Sequence, residues 1–386
     1  MSIIRDPVYI LAVLFLLIVV SEWLAKKRFF SHIGAVLIVI IAAAVLANIG
    51  LIPSSQNAPP LYDDIFRYAA PLGIFFLLLE VRLKDLRFAG APMLMMFLIG
   101  AAATVAGVII GYKLVSPQEV IPSANAVAGM YTGTYIGGSA NLNAIALNYG
   151  VNKEGVLYAA INAVDNILTT IWLMMTLALP RIMQKFFPRK RSIPPQLEAL
   201  SDEEIREKLA SNESSVGLTD TAMLLVLGLG TLFISSTVSH AVPWMPSIIV
   251  LTTIALILAQ VPFVHRLRGS RILGYLLVMM FLAVIGAFCD FRALAGAGNV
   301  ASILLIWVTL IVFIHGAIIL LLGGVLKQDW DIVSIASNAN IGGATSAPVC
   351  AASLGRPDLQ LPGLLAGTVG NAIGTYAGIL VAEFLK

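Results

Sequence analysis

One carboxylate is placed where carboxylates are costly. Asp165 lies inside the apolar run 154–180, about 16 Å along it by helical rise, whereas Glu22, Glu80, Asp220, Asp290 and Glu383 all fall near the ends of such runs. A charged group at that depth costs about 2.5–3.5 kcal/mol on insertion scales, so it marks an ion or proton site. The competing reading is an Asp held to a neighbouring helix by hydrogen bonds. Asn162, Asn166, Thr169 and Thr170 fall within five residues of it on one polar side. They add oxygen ligands of the hard type that Na⁺ prefers. A second cluster precedes it. Thr132 to Asn143 reads Thr-Gly-Thr-Tyr-Ile-Gly-Gly-Ser-Ala-Asn-Leu-Asn, too polar and too rich in glycine for a lipid-facing helix. Backbone that breaks at membrane depth is tolerated only where protein buries it or a watery cavity meets it.

The break recurs 205 positions later as Ser337 to Pro348, with Ile-Gly-Gly in register. Paired polar breaks in two halves point to a transporter binding site. Gly137-Gly138 and Gly342-Gly343 let backbones approach closely. Half-helices starting there aim partly positive N-termini at an anionic group. Tyr135, Ser139, Asn141 and Asn143 in one half offer donors and acceptors to a solute. Asn338, Asn340, Thr345 and Ser346 do so in the other. The same offset sets Val164-Asp165-Asn166 to Thr170 against Val369-Gly370-Asn371 to Thr375, adding Asn371 and Thr375 to the ion-binding set. His315, mid-span, fits an interhelical hydrogen bond better than a proton relay.

These clusters require an all-α polytopic membrane protein to hold them. The 386 residues are 59% hydrophobic and only 12% charged, against about 25% charged in soluble domains. Runs long enough to span appear at about 7–25, 33–51, 65–81, 92–115, 154–180, 219–240, 246–262, 271–290, 297–325 and 359–384. Lys26-Lys27-Arg28, Arg82 to Arg87, Arg181 to Arg191 and Arg266 to Arg271 place their loops in the cytoplasm, and the 52–64 and 240–246 loops, without Lys, fall outside. Arg292 is a mild counter-signal. The charges are consistent only if 119–149 and 330–354 each enter and leave on one side, as re-entrant hairpins. Each half then holds about five spans plus one hairpin. This odd number of crossings inverts one half (1–180) relative to the other (219–386). Between them, 181–218 is a charged cytoplasmic linker with a short helix capped by Ser201 and Glu204. Both termini fall outside the cytoplasmic membrane.

Cys289 and Cys350 have no metal or redox spacing, and no phosphate loop or catalytic triad occurs. No enzyme activity, cofactor or nucleic-acid partner is expected. The partners are lipid and a small solute.

Tyr135 to Asn141, Ser337 to Pro348 and Val369 to Tyr376 resemble the YjcL-like family of membrane proteins of unassigned function, over nearly the whole chain. That family is grouped with the cation/proton antiporter and anion transporter superfamily. Its Gly-Gly tips are similar to the re-entrant loops of 2-hydroxycarboxylate and glutamate:sodium symporters. The resemblance implies inverted repeats, a core that moves against a scaffold that often dimerises (hence a homodimer for this chain), and coupling to Na⁺ or H⁺. Where antiporters carry paired carboxylates, this chain has Asp165-Asn166. That favours symport of a small, anionic solute over the alternative, a monovalent cation/proton antiporter with no organic substrate.

Overall fold

Apolar composition without β-branched alternation leaves helix as the one way to satisfy the backbone in lipid, and the chain takes it. The computed structural model describes residues 5–27, 34–189, 216–242, 245–289 and 298–386, and within them every regular element is helical. The first half comprises α1 (Pro7–Ala25), α2 (Gly34–Asn48), α3 (Pro60–Asp64), α4 (Ala70–Leu78), α5 (Ala91–Val115), α6 (Ala124–Gly137), α7 (Ser139–Tyr149) and α8 (Gly155–Phe186). A π-helical turn, Ile65–Ala69, joins α3 to α4. The second half comprises α9 (Leu218–Ala241), α10 (Ser247–Leu258), α11 (Ser270–Ala287), α12 (Gly298–Val325), α13 (Trp330–Ile341), α14 (Ser346–Ser353) and α15 (Gln360–Phe384). Seven of the described helices are long and apolar enough to cross a membrane. The expected runs coincide with helices throughout. Most of the charged linker (190–215, with Ser201) and Arg292 lie outside the described residues.

Local chemistry sets several boundaries. Asp6 caps α1, accepting from the amides of Val8 (2.8 Å) and Tyr9 (3.1 Å), with Pro7 at the first helical position. Asp329 caps α13 in the same way, through the amide of Asp331. Gly138 and Gly343, at φ +86° and +78°, occupy the left-handed region that ends α6 and turns the chain after α13.

Both polar breaks are hairpins. A Cβ on Gly133 would meet Ile145 Cδ1 at 2.6 Å. A continuous helix would hold residues twelve apart about 18 Å from one another. In the second break Asn338 Nδ2 and Cys350 Sγ, also twelve apart, both reach Thr176 Oγ1, at 3.0 and 4.0 Å. Each hairpin packs on the last long helix of the other half: α6 on α15, α13 on α8.

Counterpart helices also pair with each other. Gly107 and Gly111 of α5 face Ile311 and Trp307 of α12, and Thr104 faces His315, so the two run antiparallel. Gly73 of α4 meets Val278 and Gly274 of α11, and Gly274 meets Leu77, again antiparallel. Counterparts related by an axis along the membrane normal would point the same way. Antiparallel counterparts are what an inverted repeat requires. The first helices of each half (α1, α2, α4, α9, α10 and α11) pack mainly among themselves, and α5, α12 and the hairpins with α8 and α15 form the other group.

Candidate functional site

The two tips meet. A Cβ placed on Gly343 would lie 3.7 Å from Gly138 Cα, so the breaks converge between the halves. α7 starts at Ser139 directly beyond one tip, and α14 at Ser346 just beyond the other. Their first amides are the ones a helix cannot satisfy internally. Ser139 and Thr345 are exposed there, while Asn141, Asn143, Asn338 and Asn340 are buried. A polar surface thus sits deep in an apolar body. Gly137 permits this geometry: a methyl group on it would collide with the carbonyl of Gly370 on α15.

The amides have distinct roles. Asn338 accepts from Ser346 Oγ of its own hairpin at 2.6 Å and donates to Thr176 of α8, and Gly342 abuts that serine. Asn143 accepts from the Tyr158 hydroxyl. Asn141 accepts from Thr375 Oγ1 at 2.7 Å, while its Nδ2 is buried and without a partner. Asn340, wedged against Gly100 and fully buried, has no partner for either side-chain polar atom. Such orphans are rare, and they mark where a ligand or water completes a structure.

Asp165 lies on the neighbouring helix α8, unbroken from Gly155 to Phe186. The Tyr135 and Thr169 hydroxyls face its carboxyl group. All three oxygens (Asp165 Oδ1, Tyr135 Oη and Thr169 Oγ1) are buried, and none closes a hydrogen bond of ordinary geometry. The Tyr135 hydroxyl thus lies at the Asp165 carboxyl, while its backbone leads into the first tip. The rest of the expected ion-binding set divides. Asn162 Nδ2 donates to the Tyr158 carbonyl, Asn166 Nδ2 to that of Asn162, and Thr170 Oγ1 to that of Asn166. These side chains turn back onto their own helix, the usual outcome for Asn and Thr inside a helix. Asn371 and Thr375 sit at the first tip, Asn371 Oδ1 lying 4.0 Å from a Cβ on Gly138 and Thr375 bonded to Asn141.

A third cluster was not singled out as a unit from the residues. His315 Nδ1 lies 3.0 Å from the Gly100 carbonyl and 3.0 Å from Thr104 Oγ1, and its Nε2 lies 2.8 Å from Ser337 Oγ. A carbonyl only accepts, so Nδ1 carries the hydrogen and Nε2 accepts from Ser337. Trp172 Nε1 donates to Ser337 at 2.9 Å, and Thr104 donates to the Tyr135 carbonyl at 3.2 Å. One directed chain thus links α8, α13, α12, α5 and α6. Thr104 carried no sequence signal, and Ser337 only its place at the start of the second break, because each meets its partner only across helices.

At the foot of the second hairpin, Arg356 is 4% exposed and bridges Asp329 (2.9 Å), Asp331 (3.0 Å) and Asp358 (2.7 Å). It joins the entry of α13 to the exit from α14.

The sequence has relatives. The "Uncharacterized membrane protein YjcL" of Bacillus subtilis (strain 168) is 27% identical over 376 residues, an alignment covering 94% of this chain and 92% of that protein. The family described as "Protein of unknown function (DUF819)" matches residues 9–386, which contain both hairpins, Asp165 and His315. The chain belongs to that family, as a multi-pass membrane protein with a polar, two-hairpin centre.

Proposed function

We propose that this protein is a secondary active transporter that moves a small polar, anionic solute across the cytoplasmic membrane by alternating access, coupled to Na⁺ or H⁺. The observation that carries the reading is the contact between Gly138 and Gly343, with the Asp165 carboxyl facing Tyr135 of the first hairpin. Two half-helix N-termini, α7 and α14, converge on exposed Ser139 and Thr345. Their dipoles favour negative charge without a buried Lys or Arg. Asn141 and Asn340 supply free amide groups to fix orientation. Asp165, one buried carboxylate with an amide neighbour, suits symport better than exchange of one cation for another.

Antiparallel counterpart helices support the inverted repeat that alternating access uses, with the hairpin group moving against the outer helices. Proteoliposomes loaded to impose a Na⁺ or a pH gradient test the proposal with a panel of small carboxylates. Gradient-driven accumulation is expected, with at least a tenfold loss in Asp165→Asn. Accumulation that ignores both gradients, or survives Asp165→Asn unchanged, removes the assignment. Proton release on adding Na⁺, K⁺ or Li⁺ without any solute would instead favour an antiporter.

A further inference from the structure

The three partnerless oxygens at Asp165 belong to a carboxyl and two hydroxyls, and hydroxyls can turn. We infer that the ion taken up at Asp165 is a proton, bound by Asp165 with Tyr135 and Thr169, and that Na⁺ is not held there. The inference deepens the transport reading by naming its coupling ion, and rests on that reading only for the word coupling.

An alkali cation entering a protein must exchange its hydration shell for a cage of oxygens. Membrane transporters commonly build that cage from carbonyls released where a helix unwinds. α8 does not unwind: it runs from Gly155 to Phe186, and the nearby carbonyls of Tyr158, Asn162 and Asn166 also accept from side chains of the same helix. The Tyr135 carbonyl, on the facing helix, is taken by Thr104. Of the other candidate ligands, Asn162 and Asn166 point Nδ2 and Thr170 its hydroxyl at the α8 backbone, and Asn371 and Thr375 lie at the first tip. The buried oxygens left without a hydrogen bond are Asp165 Oδ1, Tyr135 Oη and Thr169 Oγ1, one from a carboxyl and two from hydroxyls, and no unwound carbonyl joins them to make a cage.

The same three atoms suit a proton. With Asp165 ionised, both hydroxyls donate to it. With Asp165 protonated, its own O–H donates to one hydroxyl while the other still donates. Both states need only small turns of these side chains to close the bonds, and no further ligand. The titratable groups facing Asp165 are Tyr131 and Tyr135 from α6 and Tyr158 from α8 itself. Tyr131 lies toward the Ile161 carbonyl, and Tyr158 is committed to Asn143. From α12, His315 meets α8 two turns further on, at Trp172, through ring contact. Cationic side chains are absent from this set, so nothing here holds Asp165 permanently ionised. Tyr135 stands two residues before Gly137 and is anchored through Thr104, so the proton's presence is felt at the first tip.

The test needs no solute. Melting temperatures of the purified protein in nanodiscs are measured from pH 5 to 9 in NaCl, KCl and choline chloride at equal ionic strength, for wild type, Asp165→Asn, Tyr135→Phe and Thr169→Val. A pH-dependent difference between wild type and Asp165→Asn is expected, identical in the three salts. Its midpoint should move by about one pH unit in Tyr135→Phe. Stabilisation by NaCl alone that Asp165→Asn abolishes would overturn the inference, as would wild-type and Asp165→Asn curves parallel at every pH. If Asp165→Asn does not fold, pH-difference infrared spectra decide. A protonated-carboxyl band that Thr169→Val and Tyr135→Phe both displace supports the site, and one that neither displaces refutes it. If proton binding holds but no solute accumulates in proteoliposomes, the transport reading fails and the proton site stands.

Discussion

Thr104 is a small residue with a large structural duty. Its hydroxyl serves the His315 ring and the Tyr135 carbonyl at once, both buried. Thr104→Val keeps the shape and strips both bonds. A buried group left unpaired costs about 1–3 kcal/mol, so this variant should melt several degrees lower, read by a thermal-shift assay on the detergent-purified protein. An unchanged melting point would show that the network is not holding α5 to α6. Arg356 is the second such residue. With three carboxylates around it and 4% exposure, Arg356→Met leaves buried charge uncompensated. Breaking one side of a buried cluster costs about 3–5 kcal/mol. The loss should appear as fast proteolysis at the 354–358 turn under conditions that leave wild type intact.

Among the elements, α6 and α15 are held by glycine against glycine. Gly129, Gly133 and Gly137, each one turn apart, face Gly378, Gly374 and Gly370, and a Cβ on Gly129 would come within 2.6 Å of the Gly378 carbonyl oxygen. Lipid tails are as apolar as leucine, so helices in membranes gain from close backbone packing and not from hydrophobic burial. Gly374→Leu would drive a branched side chain into Asn141 and the Gly133 carbonyl. It should abolish the peak of folded protein in size-exclusion chromatography. Gly343→Ala is a subtler probe. The residue has φ +78° and faces Gly138, so alanine adds left-handed strain of about 1–2 kcal/mol and crowds the tips. The protein should still fold, with solute uptake falling at least tenfold; wild-type uptake would place the solute away from the tips.

For the whole molecule, orientation is the open geometric statement. Cys289 and Cys350 are buried, giving a low labelling background. Single cysteines at Gln56, Lys84 and Arg268, labelled in intact cells with a membrane-impermeant maleimide, should react at Gln56 and not at the other two. Reaction at Lys84 instead would turn the whole topology over. If the halves are inverted as proposed, a cysteine at Lys327 behaves like one at Lys84.

Much was readable before any coordinates. Apolar runs of spanning length become helices because lipid leaves the backbone no other partner. The two glycine breaks announce themselves because nothing else in such runs is so polar, and the 205-residue offset pairs them. Charge in the loops was enough to require hairpins at both breaks, and both breaks do fold back. Asp165 stood out on cost alone. What composition and spacing could not decide is which side chains face one another. Asn162, Asn166, Thr169 and Thr170 look alike along one stripe of α8, yet only Thr169 turns to the carboxyl, because the others find carbonyls one turn back on their own helix. Tyr135 joins Asp165 from thirty residues away, and Thr104, His315 and Ser337 close a network whose members share no local pattern. The meeting of Gly138 with Gly343 is of the same kind. Spacing along a helix fixes a face, but contacts across helices depend on packing distance and rotation, which belong to the assembled fold.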